Sequence, residues 1–253
     1  MTAPFGRRIS AVLSRPVVGA YVVLGIGDGA VVGPGPGQFY MLAAVEWWGG
    51  GEDGRPFLGR AVSALSAGDG VVSFLLEDVG PGTRRLCGLE VGEDVFVVGP
   101  LGRGFAAPPA GCEALLVGGG VGIPPLALFQ SRWGGRALAG FRDEAHAAGA
   151  ELLRGVEVAT DDGSVGHHGF VTDLLERELD EARGGICVYA CGPPPMLEAV
   201  RGLAIAHGVP AWLALEAPMA CGFGACFGCV VATHDGYRRV CVDGPVFDAA
   251  VLA

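Results

Sequence analysis

Short apolar runs rich in β-branched and aromatic residues recur through the first hundred positions, at residues 21–26, 39–45, 71–79 and 94–98, separated by Gly and Pro. Runs of that length are strand-sized, and their close spacing predicts an antiparallel barrel or sandwich. The rhythm changes at Glu113. An apolar run at 114–117 leads through a glycine-rich turn to a helix from Pro124, followed by strands at 137–141 and 156–160, a helix at 172–181 and a strand at 186–190. Strands alternating with helices predict a doubly wound parallel sheet. Between the two patterns, residues 106–111 read A-A-P-P-A-G, a stretch that continues neither strand nor helix and reads as a hinge. The expected architecture is a β-barrel plus an α/β domain, divided as 1–109 and 110–211, with a small C-terminal subdomain at 212–253.

Composition narrows the class. The 253 residues are 51% hydrophobic and 17% charged, enough apolar content for buried cores and too much for a disordered chain. Lysine is absent, so arginine supplies all 17 positive charges against 27 acidic residues, for a net charge of -10. Nothing in that balance favours nucleic acid as a partner. No apolar run approaches the ~20 residues of a membrane span, and the N-terminal MTAPFGRRISAVLS has no signal-peptide core with a small-residue cleavage site. A cytoplasmic protein with no membrane partner is expected. The pair Trp47-Trp48 before Gly49, Gly50 and Gly51 reads as a hairpin loop, with a partner surface as the other reading.

Cysteine spacing carries the most specific chemistry. Residues 219–230 read M-A-C-G-F-G-A-C-F-G-C-V, so Cys221, Cys226 and Cys229 follow C-x4-C-x2-C, with Cys241 beyond them. That is the thiolate pattern of a plant-type [2Fe-2S] cluster. A loop wrapping a cluster must bend tightly, and Gly222, Gly224 and Gly228 have no Cβ to obstruct it. Structural zinc is the rival reading, but zinc sites usually show two short Cys or His pairs, and only one C-x2-C is present. The other cysteines, Cys87, Cys112, Cys187 and Cys191, are scattered singly, and the first three are expected to be buried free thiols.

Two further stretches suit phosphates. Residues 57–65 read F-L-G-R-A-V-S-A-L, with Arg60 and Ser63 on a strand, and residues 80–86 read G-P-G-T-R-R-L, a Gly-Thr turn. Arginine, hydroxyl and turn are apt donors for a pyrophosphate, although neither stretch alone is specific. Residues 116–126 read L-V-G-G-G-V-G-I-P-P-L: a buried strand, a glycine turn and a helix opened by proline. A helix start approached through glycines can receive an anion. Ile123 and Pro125 stand where a third glycine would complete the generic dinucleotide fingerprint, which is therefore not met. After the second strand, Gly140-Phe141-Arg142-Asp143-Glu144 offers both acids for a ribose diol and an arginine for a 2′-phosphate.

Taken in order, P-G-Q-F at 36–39, R-A-V-S at 60–63, G-P-G-T at 80–83, V-G-P-L-G-R-G-F at 98–105, G-G-G-V-G-I-P-P-L at 118–126 and C-G-P-P-P-M-L at 191–197 resemble the ferredoxin–NADP reductase superfamily. With the cysteine tail and R-V-C-V-D-G-P-V-F at 239–247, the chain resembles the electron-transfer subunits of class 1B dihydroorotate dehydrogenases over nearly its whole length. The resemblance implies an FAD-binding barrel in which Arg60, Ala61, Val62 and Ser63 line the flavin and its phosphates and Gly82 and Thr83 complete the site. It implies an NAD-binding α/β domain in which Gly119, Gly120 and Gly122 receive the dinucleotide and Cys191, Gly192 and Pro193 close over its nicotinamide end. It implies a C-terminal [2Fe-2S] subdomain ligated by Cys221, Cys226, Cys229 and Cys241. Val62 replaces the aromatic usual in the flavin motif. His167 and His168 fall at variable positions of the family's T-x-D-G-S element at 160–172 and read as loop residues, not metal ligands.

A hydride carries two electrons and a [2Fe-2S] cluster accepts one, so a flavin is needed to divide the pair. The implied route runs from dihydroorotate to FMN on a separate catalytic subunit, then to the cluster, FAD and NAD+, in pyrimidine biosynthesis, within a heterotetramer of two chains of each kind. No catalytic acid or base is expected on this chain. Phe223, Phe227 and Phe247 either face that partner or pack the tail. The alternatives are a flavin–iron-sulfur subunit of another NAD(P)H:ferredoxin-type oxidoreductase, a stand-alone diaphorase, and a zinc-stabilised binding module without enzymatic activity.

Overall fold

The computed structural model describes residues 6–29, 33–51, 54–182 and 184–253. Residues 1–5, part of the stretch read above for a leader, lie outside them. Seven strands form the N-terminal sheet: β1 (Arg8–Ser14), β2 (Val17–Val18), β3 (Tyr21–Gly27), β4 (Phe39–Ala44), β5 (Arg60–Gly68), β6 (Val71–Glu77) and β7 (Asp94–Leu101). Their order is β1-β7-β4-β5-β6-β3-β2, and an added β1–β3 pairing closes six of them into an antiparallel barrel with β2 on its outside. Closure satisfies the ladder groups an open edge would leave unpaired. Alternation along β7 buries Val95, Val97 and Leu101. Leu24, Ile26, Tyr40, Leu42 and Phe74 join Val95 and Val97 in the barrel core. The 80–86 stretch is more than a turn. It begins a short helix, α1 (Pro81–Cys87), which Thr83 starts by accepting the backbone N–H groups of Val79 and Gly80 at 3.0 and 3.1 Å.

The second sheet contains β8 (Glu113–Gly119), β9 (Arg136–Phe141), β10 (Val156–Thr160), β11 (His167–His168), β12 (Ile186–Cys191) and β13 (Ala211–Ala214), with helices α2 (Ile123–Trp133), α3 (Glu144–Ala147), α4 (Val171–Glu181) and α5 (Pro194–Ala206) in its connections. The order β11-β10-β9-β8-β12-β13 is parallel throughout and reverses direction of growth between β8 and β12. Almost every side chain of β8 and β12 is buried, as a strand covered on both faces requires. Helix α2 packs toward both domains, since Ile123, Leu126 and Phe129 share one core with Leu65 and Phe105 of the barrel side and Leu116 and Tyr189 of the sheet. The two domains are thereby joined through apolar packing.

The tail adds β14 (Val230–Thr233) paired with β15 (Gly236–Arg239), and β16 (Val246–Asp248), which runs antiparallel to β13 and extends the second sheet. Residues 211–214 thus belong to the parallel sheet even though the expected boundary at 212 passes through them. Phe247 of β16 is 7% exposed and packs into the core with Leu213 and Leu101, whereas Phe223 and Phe227 are 52% and 63% exposed. Of the three phenylalanines, Phe247 is therefore a packing residue. The thiol expectation also needs correction: Cys112 and Cys187 are disulfide-bonded across the amino-terminal ends of β8 and β12, while Cys87 and Cys191 are buried free thiols. Their separation by 75 positions hid the pair from spacing arguments. Trp47-Trp48 lies between the paired strands β4 and β5, with Trp47 exposed and Trp48 packed against the barrel core.

If β16 holds the tail on the sheet, Phe247→Ala should destabilise the chain by roughly 3–5 kcal/mol, the usual cost of emptying a buried phenylalanine site. Denaturant titration and limited proteolysis measure this, with cleavage expected first between residues 215 and 253. A wild-type midpoint and uncut tail would contradict it.

Candidate functional site

Open parallel sheets bind ligands beyond the carboxyl ends of their strands, where the strand order reverses. Here that point lies between Gly118 of β8 and Cys191 of β12, which are paired. A cleft of about 640 Å³ opens there, lined in part by Gly119, Gly120, Gly140, Gly192, Pro193 and Glu216. Small residues are needed on this wall. A Cβ on Gly119 would lie 2.6 Å from Met196 Sδ, and Gly120 has φ +50°, in the left-handed region. Pro124 and Pro125 remove two N–H groups from the first turn of α2, leaving fewer donors than an ordinary helix start. Gly122 and Cys191 sit behind the cleft wall. Neither lines the cleft, and a Cβ on Gly122 would lie 2.2 Å from the Cys191 carbonyl oxygen, so the pair lets the turn sit on β12. Burial raises the Cys191 thiol far above its ordinary range, and it stays protonated.

A second cleft of about 240 Å³ lies on the barrel side, lined by Ala61, Val62, Ser63 and Thr83 together with Phe39, Leu215 and Met219 among others. Glu77, Val121 and Glu216 line both clefts, which are therefore continuous. Arg60 and Gly82 come together beside this wall rather than in it. A Cβ on Gly82 would lie 2.3 Å from Arg60 Nε, and the guanidinium sits 5.6 Å from the Trp48 ring while donating to the Leu58 carbonyl at 2.5 Å. Sequence patterns gave no reason to single out Glu216. It follows β13 at the junction of the clefts, where it keeps access to solvent while the surrounding protein partly desolvates it, and this raises its carboxyl pKa. Glu77, Tyr21, Arg142 and Asp161 also line the larger cleft and were not assigned together, because four separate elements supply them.

The four tail cysteines stand as two pairs. Cys221 and Cys226 are neighbours that influence each other's ionisation, and so are Cys229 and Cys241. Among the described residues no three His, Cys, Asp or Glu side chains converge on one point as a mononuclear metal would require. Two thiolates for each of two irons is what a [2Fe-2S] cluster needs beyond its own sulfides, so the donor set fits that group. Left-handed backbone at Gly222, Phe227 and Gly224, with φ of +79°, +56° and +90°, folds the loop back on its sulfurs. Around Cys221, desolvation opposes ionisation, but N–H groups of Phe223, Cys226 and Ala225 aimed at its sulfur prevail and bring the thiol down to about 6. Desolvation and the adjoining Cys229 push Cys241 up to about 12. Backbone N–H groups of Gly228 and Cys241 also approach Cys226 and Cys229 sulfurs at 3.5 and 3.4 Å. Arg239 steadies the loop, donating to the Gly224 carbonyl at 3.2 Å and lying 4.9 Å from the Phe227 ring centre. His167 bonds Asp173 at 3.1 Å and is no part of the thiolate site.

A closed antiparallel barrel, a doubly wound sheet with its cleft at the reversal point and a four-thiolate loop together define a redox protein of ferredoxin-reductase architecture. The NADH-dependent reduced ferredoxin-NADP oxidoreductase studied for flavin-based electron bifurcation is similar to this chain, at 26% identity with a TM-score of 0.82 over 98% of this chain and 91% of its own. Residues 216–253 match the family described as the iron-sulfur cluster binding domain of dihydroorotate dehydrogenase B. The dihydroorotate dehydrogenase B (NAD(+)) electron transfer subunit of Clostridium acetobutylicum is 35% identical over 217 residues, covering 84% of this chain and 83% of the relative. That of Shouchella clausii is 41% identical over 190 residues, covering 70% and 71%. The chain belongs to the family of dihydroorotate dehydrogenase B electron transfer subunits.

The Gly122 contact gives a specific expectation. Gly122→Ala should cost roughly 1–3 kcal/mol of stability, as overpacking does, and weaken NAD+ binding about tenfold by displacing the turn. Thermal unfolding and calorimetric titration would expose a mistake if both matched wild type.

Proposed function

We propose that this chain is the electron-transfer subunit of an NAD+-dependent dihydroorotate dehydrogenase in pyrimidine biosynthesis, working between an FMN-bearing catalytic partner and NAD+ with FAD and a [2Fe-2S] cluster as carriers. The observation that carries the reading is the continuity of three sites through one short segment. Leu215 and Met219 line the barrel cleft, Glu216 lines both clefts, and Cys221 follows two residues after Met219. Bound FAD accepts a hydride's two electrons and the cluster carries one at a time. The chain's own residues supply position and shelter. Ala61, Val62 and Ser63 form the flavin wall, Arg60 with Gly82 and Thr83 sits where the flavin phosphates enter, and Gly119, Gly120, Gly192 and Pro193 receive the nucleotide. Gly122 and Cys191 fix the turn beneath it, and Cys221, Cys226, Cys229 and Cys241 hold the cluster. On this reading residues 1–109, 110–211 and 212–253 serve FAD, NAD and the cluster respectively.

The exposed Phe223 and Phe227 flank the cluster loop and face the catalytic partner, in an assembly of two chains of each kind. Among the described residues no helix is long and apolar enough to cross a membrane. We place the protein in the cytoplasm, where the Cys112–Cys187 bond would be unusual.

Purified protein should contain about two irons and two acid-labile sulfides per chain, and Cys226→Ser should abolish the cluster's visible and EPR signals. Alone, the chain should reduce artificial acceptors with NADH yet leave dihydroorotate untouched; adding the FMN subunit should restore dihydroorotate-dependent NAD+ reduction. Zinc in place of iron, or dihydroorotate turnover by the isolated chain, would defeat the proposal.

A further inference from the structure

A polar cluster joins the barrel to the end of β9 along the wall of the larger cleft. Glu77, the last residue of β6, is the barrel's contribution, and Arg142, Asp143 and His146 follow β9. Arg142 Nη2 donates to Glu77 Oε1 at 2.9 Å, and its Nε lies 3.5 Å from Asp143 Oδ2. His146 bridges the same acids, with Nε2 3.2 Å from Glu77 Oε1 and Nδ1 2.6 Å from Asp143 Oδ1. It also contacts Arg142 directly. Asp161, just past β10, and Glu216 are the other carboxylates on the cleft wall. Even with His146 protonated the acids are not outnumbered, and with it neutral a single guanidinium stands among them.

Tyr21 of β3 packs behind this corner. Its side chain is fully buried behind the cleft wall, its ring meets His146 edge-on at 5.5 Å, and among the described residues its hydroxyl has no hydrogen-bond partner. The hydroxyl is near the glycine turn, 4.0 Å from where a Cβ on Gly120 would stand. Burial, reinforced by the charge of Glu77, holds the phenol protonated, so it can only donate or accept in neutral form.

In doubly wound sheets a carboxylate placed here accepts from a ribose 2′-hydroxyl, whereas a free arginine accommodates a 2′-phosphate. The Arg142 side chain is 61% exposed, and its guanidinium is drawn toward Glu77 and Asp143. We propose that Glu77, a residue of the flavin barrel, sets the nucleotide preference of the neighbouring domain by holding Arg142 in a carboxylate cage, so that a 2′-phosphate meets net negative charge and a plain ribose does not. The inference rests on the reading of this cleft as the dinucleotide site.

The test uses the flavin- and cluster-loaded chain, titrated calorimetrically with NAD+ and with NADP+, alongside kcat/KM for flavin reduction by NADH and NADPH. Wild type should favour the unphosphorylated nucleotide. Glu77→Gln should shift the NADP+ to NAD+ affinity ratio about tenfold toward NADP+, the scale of one charge-assisted bond gained. Adding Arg142→Gln to that variant should erase the shift, because the freed guanidinium is its source. FAD content, read from the visible spectrum, separates this effect from loss of flavin. Should Glu77→Gln fail to fold, Asp143→Asn removes the other arm of the cage and should move the ratio about threefold in the same direction. An unchanged ratio in the flavin-replete variants, or a shift that persists without Arg142, would overturn the role of Glu77. Wild-type protein that binds neither nucleotide would instead overturn the reading of the cleft.

Discussion

Close packing of the segment that leaves β13 is the constraint on which the functional arrangement depends. Leu215, Glu216, Ala217 and Met219 form part of the barrel cleft, Glu216 also lines the larger cleft, and the cysteine loop begins at Cys221. The loop presses on the barrel so closely that a Cβ on Gly222 would lie 2.5 Å from Met41 Cγ. Met41 is paired with Ala61, a residue of the barrel cleft wall. One side chain of β4 therefore lies between the cluster loop and the strand proposed to hold flavin. A larger residue at 222 would push the loop outward, lengthening any path between the two.

That closeness needs a rigid frame, which apolar burial supplies. Helix α2 contributes Ile123, Leu126 and Phe129 to a core containing Leu65 and Phe105 from the barrel side, and Phe105 meets Phe129 and Tyr189 edge-on at 5.9 and 5.6 Å. A second shared core brings Phe39, Met41 and Leu101 of the barrel together with Cys229, Cys241 and Phe247 of the tail and Leu213 of β13. Two of the four tail cysteines are thus rooted in the same core that joins the domains, while Cys226 remains exposed. The inner pair is shielded from water, and the outer pair lies toward the surface where Phe223 and Phe227 are exposed. This polarity suits a site that exchanges electrons with another protein on one side and with a buried flavin on the other.

Strands whose apolar residues form unbroken or alternating runs were legible in the sequence, as at β3, β4, β7, β8 and β12. Elements that depended on distant partners were less so. Strand β1 mixes Arg8, Ser10 and Ser14 with apolar residues, and only its pairing with β7 and β3 makes it part of a barrel. Helix α5 opens on Pro194 and Pro195, which masks its helical period, and α1 is too short for a period to emerge. The motif positions 61–63, 83, 119–120 and 192–193 all lie on cleft walls, because backbone shape around a cofactor must be written locally in glycines, prolines and small side chains. Glu216, Glu77 and Tyr21 were not legible. Each is an ordinary residue on an ordinary strand or strand end, and it becomes special only when the fold gives it a common cavity with the others.

The same distinction explains why some motif residues serve packing rather than contact. Gly82 leaves room for the Arg60 guanidinium, and Gly122 leaves room for the Cys191 carbonyl, yet neither lines a cleft. A motif records every position where a side chain would disturb the site, whether it would strike a ligand or only the wall behind it. The cleft walls themselves are formed by their neighbours: Gly120 and Gly192 at the sheet's reversal point, and Ser63 and Thr83 on the barrel. Between these two groups stands Glu216, tied to neither motif, at the place where the clefts meet. Solvent reaches it, yet the protein around it partly desolvates the carboxyl and raises its pKa. A charge at that position is felt in both clefts, so its surroundings tie the electrostatics of the sheet's reversal point to those of the barrel wall.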